Sequence, residues 1–128
     1  LAETRRFDVA FVGCGITVGL ALEAARTLEQ DGISCLVADM ASVKPIDEEL
    51  LAKIARSSGA IIACEEHSVI GGLGSAVCEV TARSHPVRVV RLGVNDQFGE
   101  SGPAGALLEK YGFTSERYCQ VARGLVGR

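Results

Sequence analysis

The sequence predicts a three-layer α/β/α sandwich on a mainly parallel sheet, with its strands in the order 2-1-3-4. Three observations predict it. Short apolar runs alternate with segments of helical period. The runs are apolar on successive residues, as strands buried on both faces are. No internal repeat, low-complexity stretch or linker divides the 128 residues, a length that makes one domain, and the 48% apolar content fills its core. Strands and helices in alternation connect by right-handed crossovers, which keep the strands parallel and put helices on both faces.

The first strand is the run Phe7 to Val12, ended by Gly13-Cys14-Gly15. Thr17 then caps a helix to about Gln30, with Val18, Leu22, Ala25 and Leu28 along one face. Asp31-Gly32 stops it, and Ile33 to Asp39 is a second buried strand. Pro45 holds Lys44 extended, and Asp47 caps the next helix. Glu48 and Glu49 suit that helix's positive end, Lys53 and Arg56 its negative end, and Gly59 lies past it. Ala60 to Cys64 is a third buried strand that runs into Glu65-Glu66-His67. The loop Ser68 to Gly74 feeds a helix from Ser75 to about Arg83. Val87 to Leu92 carries Arg88 and Arg91 and reads as an edge strand. Ser101-Gly102-Pro103 opens a helix with Leu107, Leu108 and Tyr111 inward, stopped by Gly112. Thr114 caps the last helix, where Tyr118, Val121, Ala122 and Leu125 share a face.

Composition excludes several functions. A net charge of −3 gives no basic footprint for nucleic acid or an anionic membrane. Aromatics at 5%, without Trp, provide no stacking platform for bases. The cysteines (Cys14, Cys35, Cys64, Cys78 and Cys119) are odd in number and show no C-x-x-C spacing. They read as small buried hydrophobes of a reducing, cytoplasmic compartment, not as disulfides or zinc ligands. The longest apolar stretch, Val9 to Leu22, is broken by glycines and falls short of the roughly 18 residues that a spanning helix needs. Arg5-Arg6-Phe7 ahead of an apolar run imitates an export signal, but Asp8 interrupts the run. The start at Leu1, without Met, reads as an excised or processed piece.

In an open parallel sheet, ligands bind beyond the carboxyl ends of the strands, where the strand order reverses. For the order 2-1-3-4 that point lies between the first and third strands. Two loops meet there: Gly13 to Thr17 and Glu65 to Ser68. The first opens like a dinucleotide fingerprint with Asp39 at the ribose position, but Val18 stands where the third glycine belongs. A tight strand-to-helix turn is the plainer reading. Gly71-Gly72-Leu73-Gly74 ahead of a helix suggests an anion cradle of backbone N–H groups, although no P-loop Lys follows; close loop packing is an equal reading. Glu65, Glu66 and His67 offer an acid/base pair, weighed against a solvated strand end or a subunit contact. Cys14 and His67 offer a nucleophile and base, with a helix N-terminus lowering the thiol pKa.

Taken together the motifs resemble the C-terminal domain of the transketolase family. They are Phe11-Val12-Gly13-Cys14-Gly15 with Ala21-Leu22-Glu23-Ala24-Ala25, then Asp39-Met40 with Lys44-Pro45-Ile46-Asp47. Glu65-Glu66-His67-Ser68 and Gly71-Gly72-Leu73-Gly74-Ser75-Ala76-Val77 follow. Arg91-Leu92-Gly93-Val94 with Asp96, Phe98-Gly99-Glu100-Ser101-Gly102, Leu108 and Tyr111-Gly112-Phe113-Thr114 complete the series. Deoxyxylulose-phosphate synthases and 2-oxo-acid dehydrogenases share the domain, but these strings look most like transketolase.

The resemblance implies an antiparallel edge strand before the first strand read here, drawing on Leu1 to Arg5 or on residues ahead of them. It implies a structural and assembly domain of a two-domain-larger enzyme that moves a two-carbon ketol unit between sugar phosphates. That enzyme uses thiamine diphosphate and a divalent metal, both held by the other two domains, so no catalytic, cofactor or metal residue carries over to this chain. The implied partners are those two domains, in the same chain or a separate subunit, and a homodimer contact. Cys14 stands where relatives commonly have Ser; Asn95 and Pro103-Ala104-Gly105 are further departures. The alternative is a self-sufficient small-ligand or anion-binding module at the switch-point cleft.

Overall fold

A computed structural model describes residues 5–40, 46–68, 72–94 and 114–127, with only the backbone at 66–68 and 94. The strands are β1 (Val9–Gly13), β2 (Cys35–Asp39), β3 (Ala60–Ser68) and β4 (Arg88–Val94). The helices are α1 (Ile16–Gln30), α2 (Glu48–Ser57), α3 (Leu73–Ser84) and α4 (Ser115–Val126). The sheet order is β2-β1-β3-β4 with all three pairings parallel, as the apolar runs predict. No antiparallel strand occurs among the described residues; residues 1–4, on which it was to draw, lie outside them. The helix expected from Ser101 to Gly112 also lies outside the described residues.

Alternation along β1 sorts the core into two layers. Val9 and Phe11 point to one face with Ile62 and Cys64, under Ala21, Ala24 and Leu28 of α1 and Tyr118 and Ala122 of α4. Ala10 and Val12 point to the other with Ile61 and Ala63, under Leu51 and Ile54 of α2 and Leu73, Val77 and Val80 of α3. All five residues of β1 are buried, which is what a central strand covered on both faces requires. Tyr118 stacks on Phe11 with ring centroids 6.1 Å apart, and Arg123 pairs with Asp31 at 2.7 Å to hold α4 against the end of α1. Below β1, Asp8 accepts hydrogen bonds from the Ser34 N–H and hydroxyl, which sets the β1–β2 register.

Four local expectations need correction. Helix α1 starts at Ile16 with Gly15 as its N-cap, so Thr17 lies within the first turn and does not cap it. Its buried face is Thr17, Ala21, Ala24, Ala25 and Leu28, and Leu22 is exposed: the stripe is turned because α4 covers the alanine side. The second strand begins at Cys35 instead of Ile33 and is only half-buried, because it too is an edge. Strand β3 continues through Glu65-Glu66-His67 to Ser68, with an irregularity in its pairing to β4 between Cys64 and Ser68. The caps at Asp47 and Thr114 are as predicted: each side chain accepts a backbone N–H, from Leu50 and Arg117.

Candidate functional site

The β1–α1 turn and the end of β3 adjoin at the switch point, where Gly13 of β1 pairs with Cys64 of β3. Two side chains organise this surface, and both turn inward. Thr17 is fully buried; its hydroxyl oxygen accepts the Cys14 N–H at 3.0 Å. Its single proton is shared between the carbonyls of Cys14 at 2.6 Å and Cys64 at 2.9 Å. The hydroxyl thus ties the glycine turn to the neighbouring strand. A Cβ on Gly13 would lie 2.7 Å from that oxygen, so the first glycine of the motif makes room for Thr17. The plainer reading of Gly13-Cys14-Gly15, a tight turn, is the one this geometry favours.

Glu65 is the second. It is 3% exposed, and its carboxylate accepts the N–H groups of Leu73 at 2.7 Å and Gly74 at 3.3 Å. These belong to the first turn of α3, which begins at Leu73 and not at Ser75 because the carboxylate recruits the glycine segment into the helix. A helix N-terminus attracts an anion through its unpaired N–H groups and its dipole. Here the anion is the chain's own. A Cβ on Gly72 would overlap Glu65 Oε1. Since φ at Gly72 is −100°, open to any residue, the glycine is required by space and not by backbone conformation. The expected anion cradle is therefore filled from within.

The candidate residues are placed as follows. Cys14 is half-buried at the head of α1, and Glu65 is committed to α3. Glu66 and His67 lie in β3, and their side chains fall outside the described residues, as does a Cys14–His67 contact. Asp39 ends β2, opposite Gly13. None of the five cysteines is in a disulfide. Burial pushes the Cys64 thiol up to about 12, against a hydrogen bond with Tyr118 that lowers it. Burial, then the charges of Glu29 and Asp8, push Cys35 to about 12 as well. Neither is a nucleophile at neutral pH. Among the described residues no group of three or more His, Cys, Asp or Glu is placed to hold a metal, and no helix is long and apolar enough to cross a membrane. The structural role of Thr17 has no signal in the sequence, where it reads as a cap two residues past the observed one.

Comparison with known proteins adds the family. Residues 2–117 match the transketolase C-terminal domain. A 6-deoxy-6-sulfo-D-fructose transketolase subunit from a Clostridium species is 41% identical over 121 residues, which are 94% of this chain and 38% of that one. A 1-deoxy-D-xylulose-5-phosphate synthase from Heliobacterium modesticaldum is 41% identical over 119 residues, 92% of this chain and 18% of the relative. A solved structure, a split-gene transketolase described as an inactive beta4 tetramer, superimposes with a TM-score of 0.89 at 53% identity, covering 96% of this chain and 40% of its own. The chain thus spans well under half the length of these relatives. With its sheet order, its switch-point motifs and this match over nearly its whole length, the chain belongs to the transketolase C-terminal domain family.

Proposed function

We propose that the 128 residues are one domain of a larger transketolase, serving its assembly and not its chemistry. The observation that carries this reading is the self-filled switch point: Thr17 and Glu65 satisfy from within the groups that would receive a ligand. In this reading the complete enzyme moves a two-carbon ketol unit between sugar phosphates with thiamine diphosphate and a divalent metal. The described residues do not fit that cofactor. The Leu73 and Gly74 N–H groups that would suit its diphosphate already hold Glu65, and no metal-binding cluster stands nearby among the described residues. In this reading Cys14, Glu65, Glu66 and His67 have no catalytic part.

The partners are the other two domains, in the same polypeptide or as a separate subunit, together with a second copy of the enzyme. The subunit named among the relatives and the beta4 tetramer support separate-chain assembly. Five cysteines outside any disulfide support a cytoplasmic setting. Titration of the purified chain with thiamine diphosphate and Mg²⁺ by calorimetry tests the proposal. No heat of binding is expected up to millimolar cofactor; saturable micromolar binding would overturn it in favour of a self-sufficient ligand module.

A further inference from the structure

We draw no further inference here: the strongest candidate, the outer face of α1 where Ile16 and Leu22 stand exposed on either side of Gly19, carries nothing because nothing in the structure shows what covers it.

Discussion

Replacing Glu65 by Ala removes two charge-assisted hydrogen bonds from a buried site at the start of α3. Each such bond is worth about 1.5–3 kcal/mol net. The negative charge at the helix N-terminus adds about 0.3–1 kcal/mol. Water entering the vacated space recovers part of this, so the expected loss is about 3–4 kcal/mol, a large share of a total stability of about 5–15 kcal/mol. With a urea m-value of about 1–3 kcal/mol/M, the unfolding midpoint drops by about 1–4 M. Glu65→Gln falls between, since its carbonyl still accepts one N–H while its amide meets the other donor. Gly72→Ala thrusts a methyl against the same carboxylate and costs about 1–3 kcal/mol in the parent. In the Glu65→Ala background that obstacle is gone, and Gly72→Ala becomes nearly neutral. Urea unfolding of the four proteins of this cycle, followed by circular dichroism, measures the coupling, expected at about 1 kcal/mol or more. Additive costs, or a Glu65→Ala protein within about 0.5 kcal/mol of the parent, would refute an internal anion at α3.

Thr17→Val keeps the shape but leaves the Cys14 N–H without its acceptor, with an expected loss of about 1.5–3 kcal/mol; Thr17→Ser keeps the oxygen and loses less, as thermal melts would show. Alkylation at pH 8 labels half-buried Cys14 and Cys78 before Cys35 and Cys64, and mass spectrometry showing equal native-state rates would contradict the burial of the latter pair. Those two thiols sit near 12 when folded against an ordinary 9, so the folded chain keeps protons that the unfolded chain releases. Stability is therefore full below pH 9 and falls between pH 9 and 12, a loss that Cys64→Ala should reduce in denaturant titrations across that range. Arg123→Ala loosens α4 only slightly at low salt, because the pair with Asp31 is half exposed, and the difference should vanish in 0.5 M NaCl.

Sequence was most informative where one residue's chemistry decides locally. Asp47 and Thr114 are caps because a short side-chain oxygen reaches a nearby N–H, and that rule needs no tertiary partner. The burial of β1 on both faces was likewise legible, since Val9 to Val12 admit no polar side. The turned stripe of α1 was not. Ala21 and Ala24 face inward only because α4, brought from the far end of the sequence, presses there and needs small neighbours. At the site, the meeting of the glycine turn after β1 with β3 was legible, but the run of β3 on to Ser68 and the carboxylate's direction were not. Periodicity cannot say that Glu65 turns back onto a helix beginning eight residues later.

The place of α4 in the core bears on how the chain is made. The Cys119 thiol reaches the Ala24 carbonyl across 95 residues of sequence, and Tyr118 supplies the ring that covers Phe11 on the central strand. A nascent chain emerging from the ribosome therefore exposes one side of β1 until the segment carrying Tyr118 has followed it out. Contacts so distant in sequence slow folding and leave intermediates open to aggregation. Chaperone occupancy during synthesis should accordingly persist until that segment is released.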